Sequence, residues 1–360
     1  MTVNPEPACD VLILGAGPAG CATALGLAAA GVERVLLLDK PVAQPFRIGE
    51  SATPNVAGLL EQLGLEHRLE RLGHLPYHGN LSCWGGEREE LNHFLFRGQG
   101  HGWHLDRAAF DAWLRQAATR KARLLGGSIA AVLPAADGWR VQVKGRGEIF
   151  ARVLVDAAGR RSPLATRLCA KRRRLDGLMA LAVHTAPAHN LSGLSLVESF
   201  ADGWWYAAGL PDGRTLVTLM SDHDIVKTWR YNEQGIFLQT WRNTRLLAKR
   251  VPPPSALSSI GAFAAHSGCI DRAAGRRWIA VGDALMGFDP LTSSGIAGAL
   301  DDAQAAVPAI LSQLDGNPDA ARRYAQRANA GFRRYLEERR RHYRAERRWV
   351  DRPFWARRVG

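Results

Sequence analysis

Residues 10–20 read Asp10-Val-Leu-Ile-Leu-Gly15-Ala-Gly17-Pro-Ala-Gly20, a short apolar run followed by three glycines in the pattern GxGxxG. The Ala-rich stretch from Ala22 to Ala30 has helical composition. A second apolar run, Val35 to Leu38, ends at Asp39. This order predicts a strand, a tight turn, a helix and a second strand parallel to the first, which together make one βαβ unit.

The spacing of the glycines predicts a dinucleotide site in the turn. In this pattern the first glycine permits the tight turn, the second lets a pyrophosphate approach the backbone, and the third lets helix and strand pack closely. Unpaired N–H groups at the start of the helix favour the negative charge of phosphates. Asp39, 24 residues beyond Gly15, is placed to accept hydrogen bonds from a ribose. The pattern alone does not distinguish FAD from NAD.

Length and composition indicate one two-lobed enzyme. The chain has 360 residues, and 46% of them are hydrophobic, which is enough for a large core. Its five cysteines are scattered without a CxxC pair, so we expect reduced, structural cysteines and no metal site. The sequence has no signal-peptide pattern and no apolar run of about 18 residues. We therefore expect a cytoplasmic protein without a transmembrane segment.

The rest of the chain changes character twice. Helices are expected at Ser51 to Leu63 and at Leu105 to Arg120. From about 176 to 222, strand-like segments alternate with Gly, Pro and Asp turns, which predicts an antiparallel sheet. Beyond Pro254 the α/β pattern returns, with a buried strand at Trp278 to Val281 and a long helix at Ser294 to Leu311. The nucleotide lobe is therefore split in sequence by an inserted sheet lobe.

Four further segments occur in a fixed order. They are Arg47-Ile-Gly-Glu-Ser51-x-x-Pro54, His104-Leu-Asp-Arg107-x-x-Phe110, Val155-Asp-Ala-Ala-Gly-Arg160-x-Ser162, and Gly282-Asp283 followed by Asp289-Pro290-Leu-Thr-Ser-Ser-Gly295-Ile296. These segments resemble the landmarks of the FAD-dependent monooxygenase and tryptophan-halogenase superfamily. The resemblance covers roughly residues 8 to 310 and implies that the dinucleotide is FAD.

The fold class that follows is α/β. The resemblance implies a Rossmann-like FAD-binding lobe of the hydroxylase and halogenase type, with an inserted antiparallel-sheet substrate lobe. The FAD lobe is discontinuous and would take residues 1–70, 100–170 and 270–315. The substrate lobe would take residues 71–99 and 171–269, and residues 316–360 would form a basic, helical C-terminal region.

The resemblance also implies roles for single residues. Arg47, Ser51 and Arg107 would contact the phosphate and ribityl region of FAD. Asp283 would accept a hydrogen bond from a ribityl hydroxyl. The helix that opens at Gly295 and Ile296 would face the N1–O2 edge of the flavin, because a helix N-terminus stabilises the negative charge of reduced flavin. The predicted cofactor-binding set is Gly15, Gly17, Ala19, Gly20, Asp39, Lys40, Arg47, Ser51, Arg107, Asp156, Gly159, Gly282, Asp283, Gly295 and Ile296.

Two segments bear on the reaction. The stretch Gly203-Trp204-Trp205-Tyr206-Ala-Ala-Gly209-Leu-Pro211 keeps an aromatic cluster but lacks the Trp-x-Trp-x-Ile-Pro segment of halogenases. Aligning Tyr77-His78-Gly79-Asn80-Leu81-x-x-Trp84 with the lysine-bearing halogenase strand puts His78 where the active-site lysine belongs. This departure argues against halogenation. The pattern is similar to the flavoproteins required for cysteine tryptophylquinone biogenesis in lysine- and glycine-oxidase-type quinoproteins.

Three functional hypotheses remain open. The first is an FAD-dependent monooxygenase that hydroxylates an indole- or tryptophan-like ring, with a tryptophan of a partner oxidase precursor as the candidate substrate. The second is a tailoring hydroxylase or halogenase-like enzyme acting on a free small aromatic metabolite. The third is a non-catalytic FAD-binding maturation chaperone. Because no second GxGxxG is present, electrons would come from an external reductase or from NAD(P)H.

Candidate catalytic residues follow from the first hypothesis. His78 and Glu50 are candidate acids or bases, although a lone histidine is more often structural. Trp84 and Trp205, together with Trp204, would stack on the substrate or pack in the core. The predicted catalytic set is His78, Glu50, Trp84, Trp205 and Pro290.

The arginines between Arg322 and Arg358 carry much of the net charge of +13, which implies attraction to something acidic. Phe332, Leu336 and Tyr343 fall near one helical face, so the segment predicts a basic amphipathic helix. Such a helix could bind an acidic protein substrate or an anionic membrane surface, or it could pack on its own enzyme. Nucleic acid is not the expected partner, because no nucleic-acid-binding fold accompanies the helix.

Overall fold

The computed structural model describes residues 9–40, 47–65, 69–191 and 193–359. In these ranges the strands are β1 (Cys9–Leu14), β2 (Val35–Asp39), β3 (Ser51–Ala52), β4 (Leu75–Tyr77), β5 (Gly79–Cys83), β6 (Glu90–His93), β7 (Gly102–His104), β8 (Arg123–Gly126), β9 (Ile129–Ala135), β10 (Gly138–Val143), β11 (Gly147–Asp156), β12 (Arg172–Arg174), β13 (Leu178–Thr185), β14 (Leu194–Phe200), β15 (Gly203–Gly209), β16 (Thr215–Asp222), β17 (Gly261–Ala264), β18 (Gly268–Ile270), β19 (Ala274–Gly275), β20 (Trp278–Ala280) and β21 (Met286–Gly287). The helices are α1 (Pro18–Ala29), α2 (Val56–Gln62), α3 (Arg107–Thr119), α4 (Pro163–Arg167), α5 (His223–Trp229), α6 (Gln234–Arg242), α7 (Leu247–Arg250), α8 (Gly295–Leu314), α9 (Asp319–Ala345) and α10 (Pro353–Val359). The predicted domain limits also include residues 1–8, 41–46, 66–68, 192 and 360, which lie outside the described residues.

An eight-stranded sheet holds the N-terminal βαβ unit. Its strands run in the order β19-β20-β11-β1-β2-β8, and β10 and β9 continue antiparallel from β11. Strand β1 is parallel to both β2 and β11, so the predicted βαβ unit is confirmed. Helices α1, α3 and α8 pack together beside it. Because β1 and β2 are buried, they consist almost entirely of Val, Leu and Ile.

Local capping explains where the helices start. Helix α3 begins at Arg107 because the Asp106 side chain accepts hydrogen bonds from the N–H groups of Ala108 and Ala109. The helix predicted from Ser51 is wrong at its start, since Ser51 and Ala52 pair with β7 as a strand. Thr53 precedes Pro54, and a residue before proline disfavours the helical region. The helix α2 therefore begins only at Val56.

A seven-stranded sheet forms the second layer, with the order β17-β13-β16-β15-β14-β5-β6. Strands β13 to β16 pair antiparallel, which confirms the antiparallel sheet predicted for the middle of the chain. Strand β5 joins the edge parallel to β14, and β6 follows it antiparallel. The α/β fold with an inserted antiparallel sheet is therefore confirmed.

The arginine-rich C-terminal segment packs against the rest of its own chain. Helix α9 lies against α8, and Tyr324 joins the core of the eight-stranded sheet. Further along the same helix, Tyr343 packs with Trp355 of α10 in the core of the seven-stranded sheet. Arg358 is buried and pairs with Asp222 at 2.5 Å. Although α9 is 27 residues long, no helix in the described ranges is both long enough and apolar enough to cross a membrane.

Replacing Trp355 tests how much the C-terminal segment contributes to the fold. Its side chain is fully buried (0% exposed), so Trp355→Ala should lower the free energy of unfolding by about 3–5 kcal/mol. Trp229, which is 51% exposed, is the matched control, and Trp229→Ala should cost no more than about 1 kcal/mol. Denaturant unfolding measures both variants, and equal losses would contradict the assignment of α10 to the core.

Candidate functional site

A cavity of about 890 Å³ lies between the two sheets. On one side it meets the carboxyl ends of β1, β2 and β11, through Leu14, Asp39 and Ala157. On the other side it meets side chains of the seven-stranded sheet, among them Tyr206 and Thr218. Ligands of open α/β sheets bind at such carboxyl ends, where neighbouring strands lead away in opposite directions.

The glycine turn between β1 and α1 lines the cavity with backbone atoms that no side chain covers. Gly15 has φ +102°, and a Cβ there would lie 2.5 Å from the carbonyl oxygen of Ala157. A Cβ at Gly20 would overlap the carbonyl oxygen of Gly15. Gly17 differs, because it lines the cavity and nothing lies within 4 Å of the position of its missing Cβ. The first and third glycines thus allow close packing, while the second leaves the helix start open to a ligand.

Basic side chains outnumber acidic ones around this cavity. Arg115 pairs with Asp39 at 2.8 Å, and Arg160 lies 3.2 Å from Asp283. The lining includes the acidic residues Asp39, Glu50, Asp283 and Asp289 and the basic residues Lys40, Arg47, Arg107, Arg115, Lys144, Arg160, Arg161 and Arg167. An excess of positive charge next to an open helix N-terminus suits a diphosphate.

Asp111 holds two of these arginines in place. Its buried carboxylate pairs with Arg47 and, at 3.2 Å, with Arg107. Arg107 also donates to the carbonyl oxygens of Ile48 and Gly49. The two guanidinium groups are therefore fixed at the edge of the cavity rather than left to find a ligand from solvent.

Glu50 is the buried acid of the site. Its side chain lines the cavity and is only 3% exposed. Burial raises the pKa of Glu50 above its ordinary value of 4.5, although a hydrogen bond with Tyr206 opposes this effect. The Tyr206 hydroxyl also shares a 2.6 Å hydrogen bond with Ser51, whose hydroxyl lies 3.1 Å from Nδ1 of His104. Burial lowers the pKa of His104 to about 3, so this imidazole is neutral.

The segment that precedes α8 forms another part of the cavity wall. We call residues 289–294 the entry loop, because they lead into α8 at Gly295. The loop contains a 3₁₀ turn, Pro290–Thr292, which Asp289 caps by accepting a hydrogen bond from the N–H of Leu291. Pro290, Gly295 and Ile296 line the cavity. The first N–H groups of α8 have no partners within the helix, so its positive end is available to a ligand.

Most of the predicted cofactor residues meet at this one cavity. Gly20 and Gly282 lie just behind its surface, and a Cβ at Gly282 would lie 2.7 Å from the Cβ of Ala19. The predicted residues that line the cavity are Gly15, Gly17, Ala19, Asp39, Lys40, Arg47, Ser51, Arg107, Gly159, Asp283, Gly295 and Ile296, together with Glu50 and Pro290 from the catalytic set.

Asp156 does not line the cavity. Its carboxylate is fully buried and accepts hydrogen bonds from the N–H groups of Ala158, Leu164 and Ala165, at 3.1, 2.9 and 2.8 Å. Backbone donors therefore occupy its oxygens. The placement of Asp156 corresponds to a residue that holds the turn between β11 and α4, not to a cofactor ligand as predicted.

The two predicted catalytic tryptophans pack in the core. Side chains alternate along a strand, so Trp204 and Tyr206 of β15 face the cavity while Trp205 faces the other way. Trp205 is fully buried against Phe237, with ring centroids 5.1 Å apart. Trp84 donates to the carbonyl oxygen of His342 and packs edge-on against Trp355. Neither side chain lines the cavity. Of the two roles left open for these tryptophans, their positions match packing in the core and not stacking on the substrate.

His78 also lies outside the cavity lining. Its ring stacks on His93, with centroids 5.7 Å apart, and lies 5.8 Å from the ring of His101. Burial and these two neighbouring histidines lower its pKa. The structure therefore does not place His78 beside Glu50, and the alignment with the halogenase lysine has no counterpart in the cavity.

Side chains of the seven-stranded sheet that the sequence analysis did not select also line the cavity. Tyr206, Thr218 and Met220 line it together with Phe263. Positions 204 and 206 share one face of β15, and positions 216, 218 and 220 share one face of β16. The two-residue period was visible in the sequence, but only the packing shows which of the two faces meets the cavity.

Comparison with known proteins identifies the family. The tryptophan halogenase family model matches residues 10–74 and 87–359. This chain belongs to the tryptophan halogenase family. The resemblance inferred from the four segments is confirmed, and the match continues through the arginine-rich segment, which we had placed outside it. The unmatched residues 75–86 contain both His78 and Trp84.

This tryptophan halogenase family member is similar to several known proteins. It is 31% identical over 364 residues to the putative FAD-dependent oxidoreductase LodB of Marinomonas mediterranea, covering 97% of this chain and 96% of LodB. Among solved structures it is similar to the peptidyl tryptophan dihydroxylase QhpG, essential for tryptophylquinone cofactor biogenesis, with 29% identity, a TM-score of 0.74, and coverage of 98% of this chain and 79% of QhpG. The myxobacterial chondrochloren halogenase CndH gives 25% identity and a TM-score of 0.82, over 98% of this chain and 86% of CndH.

Gly17→Ala tests the helix start as a diphosphate site. Gly17 has φ −81°, which alanine adopts freely, and its Cβ would meet no protein atom within 4 Å. The variant should keep its thermal stability yet bind FAD at least about tenfold more weakly, because the methyl group projects where a phosphate approaches the backbone. Flavin fluorescence titration measures the change. Gly58→Ala, at another position with an unobstructed Cβ, is the control, and unchanged FAD affinity in Gly17→Ala would contradict the assignment.

Glu50→Gln tests the buried acid through the pH dependence of stability. Because burial raises the pKa of Glu50, its contribution to stability is fully present below the ordinary value of 4.5 and is lost as the pH rises through the folded-state pKa. Relative to wild type, Glu50→Gln should therefore gain stability as the pH rises above 4.5. Denaturant unfolding across this range measures the trend. Glu87→Gln, at an exposed side chain, should follow the wild type, and a parallel curve for Glu50→Gln would refute a raised pKa.

Proposed function

We propose that this chain hydroxylates a tryptophan ring on a partner protein during the biogenesis of a quinone cofactor. The chain is an FAD-dependent oxidoreductase, the class to which its family and its relatives belong. The monooxygenase reaction and its protein substrate are the proposed steps beyond that class. They are supported by the residues around the cavity and by the relatives named above.

The residues present fit FAD. The open backbone at Gly17 and the start of α1 suit the diphosphate, and Asp39 at the end of β2 suits a ribose. The start of α8 suits the flavin edge that becomes negative on reduction. When bound and reduced, FAD supplies the activation of O₂ that a monooxygenase needs. The remaining chemistry falls to the side chains around Glu50.

The observation that carries the proposal is a buried carboxyl group beside an aromatic wall. Glu50 lines the cavity next to Tyr206, and Trp204 and Phe263 line it as well. Flat aromatic side chains suit a flat aromatic substrate. Replacing a ring hydrogen with a hydroxyl group releases a proton from the ring carbon. Glu50, whose pKa burial raises above its ordinary value, is the group we assign to accept that proton.

Tyr206 and Ser51 are positioning residues for Glu50. The Tyr206 hydroxyl hydrogen-bonds both the Glu50 carboxyl group and the Ser51 hydroxyl. Burial raises the pKa of Tyr206 well above its ordinary value, so it stays a neutral donor. The donor fixes the orientation of the carboxyl group and keeps it hydrogen-bonded in an otherwise apolar wall.

The positions of the lysines in the cavity argue against halogenation. The halogenases that this sequence resembles need an active-site lysine, which engages hypohalous acid. The lysines that line this cavity, Lys40 and Lys144, lie with Asp39 and Ser128 near the ends of β2 and β8 rather than with Tyr206 and Thr218 on the seven-stranded sheet. No lysine in the described residues lines the wall beside Glu50. A carboxyl group without an ammonium suits ring hydroxylation better than halogen transfer.

The choice of a protein-borne tryptophan over a free metabolite is supported by two relatives. LodB matches almost end to end, and QhpG is a peptidyl tryptophan dihydroxylase. We extend the substrate class of QhpG to this chain as a proposal. Since the sequence has only one GxGxxG, we also propose that a separate reductase or transiently bound NAD(P)H reduces the flavin.

The test mixes the FAD-loaded protein, NADH and a flavin reductase with three substrates in parallel. These are an oxidase precursor protein of the lysine- or glycine-oxidase type, free L-tryptophan, and indole with chloride and bromide present. We expect mass spectrometry to find added oxygen on a tryptophan of the precursor alone. Glu50→Gln should lower the hydroxylation rate by about 10²–10⁴-fold, the usual contribution of a general base. Glu87→Gln is the control and should keep the wild-type rate.

Other outcomes would replace the proposal. Oxygen added to free tryptophan or indole, with none on the precursor, would establish a small-molecule hydroxylase. Incorporated chlorine or bromine would establish a halogenase. Tight binding of the precursor without any product would establish a maturation chaperone.

A further inference from the structure

Helix α9 directs three side chains at one residue of the entry loop. The hydroxyl of Tyr343 donates to Oδ2 of Asp289 at 2.7 Å, and Nε of Arg339 lies 3.3 Å from the same oxygen. The N–H of Asp289 donates to the hydroxyl of Tyr335 at 2.7 Å. Positions 335, 339 and 343 recur every four residues, so they share one face of the helix. Both the backbone and the side chain of Asp289 are thereby tied to α9.

The contact between α9 and Asp289 is buried, and Asp289 itself lines the cavity. Asp289 is 2% exposed, and Arg339 and Tyr343 are also buried. While Oδ2 of Asp289 faces α9, Oδ1 accepts the N–H of Leu291 and starts the 3₁₀ turn of the entry loop. Asp289 and Pro290 line the cavity. One carboxylate thus joins α9 to the loop that sets where α8 begins.

The same face of α9 reaches a second cavity loop. The hydroxyl of Tyr324 donates to Oδ1 of Asp302 at 3.0 Å and to the carbonyl oxygen of Ala280 at 2.8 Å. Oδ2 of Asp302 accepts the N–H of Gly282 at 2.7 Å. The turn before Asp283 and the entry loop therefore both rest on α9, through buried carboxylates in each case.

We propose that Tyr343 and Arg339 are positioning residues for the flavin, which hold the entry loop so that the first N–H groups of α8 meet the isoalloxazine. This inference rests on the assignment of FAD to the cavity. It gives two residues of the arginine-rich segment a role at the cavity of their own chain. Burial and the neighbouring Asp289 carboxylate raise the pKa of Tyr343 well above its ordinary value, so the hydroxyl remains a donor.

Loss of either contact has a defined consequence for the flavin. A buried carboxylate that loses one partner must find another, and the entry loop shifts to supply it. The positive end of α8 then moves relative to the flavin and stabilises the reduced, negatively charged form less. The midpoint potential of the bound flavin should become more negative, and FAD should dissociate more readily.

The chain contains a matched control for this experiment. Asp202 is buried and has the same two kinds of partner, since the hydroxyl of Tyr231 donates to it at 2.9 Å and Arg352 pairs with it at 2.7 Å. None of these three residues lines the cavity. Removing a partner of Asp202 costs stability in the same chemical way but leaves the entry loop in place.

The test compares Tyr343→Phe and Arg339→Met with Tyr231→Phe and Arg352→Met, all as FAD-loaded proteins. We measure the midpoint potential by dye-coupled reduction, the dissociation constant of FAD by fluorescence titration, the visible spectrum and the melting temperature. The two α9 variants should shift the potential to more negative values, change the flavin spectrum and weaken FAD binding about tenfold. Tyr231→Phe should lower the melting temperature about as much as Tyr343→Phe, and Arg352→Met less than Arg339→Met because Arg352 is more exposed; neither should change the flavin readouts. Arg339→Lys, which keeps the charge, should restore part of the shift.

The inference would be overturned if Tyr343→Phe lowered the melting temperature as Tyr231→Phe does but left the flavin potential and the FAD affinity unchanged. Helix α9 would then be a purely structural element. If Tyr343→Phe does not fold, Tyr335→Phe gives the same readout, because it removes the acceptor of the Asp289 N–H group. Failure of the wild-type protein to bind FAD would instead defeat the proposed function. The two ideas therefore fail in distinguishable ways.

Discussion

The contact between the glycine turn and the end of β11 is the constraint from which the site follows. Gly15 lies against the backbone of Ala157, and Gly20 lies against the carbonyl oxygen of Gly15. No side chain fits at either glycine. This contact holds the start of α1 over the carboxyl ends of β1, β2 and β11. Because β1 lies between β2 and β11, the chain leaves the sheet in two directions at this point, and a cleft remains between the loops. The cavity fills that cleft.

The second sheet turns this nucleotide cleft into a candidate active site. Strands β15 and β16 present Tyr206 and Thr218 to the cavity, and the Tyr206 hydroxyl hydrogen-bonds the Glu50 carboxyl group. Burying a carboxyl group is costly, and the protein offsets the cost by hydrogen bonds from Tyr206 and from the N–H of Gly49. A cost of this kind is usual where the group takes part in chemistry.

The composition of the C-terminal segment does not reveal which of its arginines are buried, and the structure does. Its arginines give the chain a strongly basic tail, which in isolation indicates an acidic partner. In the folded protein, Arg339 pairs with Asp176 and Asp289, and Arg358 pairs with Asp222, all of them buried. A buried guanidinium needs such partners, because an unpaired charge inside a protein is far more costly than a paired one. Helix α9, which carries Arg339, contributes Tyr324 to one core and Tyr343 to the other and so joins them.

The sequence by itself determined the features that depend on neighbouring residues. The βαβ unit, the glycine turn, the strands of the inserted sheet and the ordered family segments follow from local spacing, because backbone geometry and side-chain period are local properties. Most of the predicted cofactor residues consequently line one cavity. The tertiary structure decided the rest. It turned Trp205 into the core and Tyr206 toward Glu50, gave the carboxylate of Asp156 to backbone donors, and moved His78 and Trp84 away from the cavity. It also joined Asp289 to Tyr343, 54 residues along the chain. Such choices depend on which face of an element meets another element distant in sequence, and no local pattern contains that information.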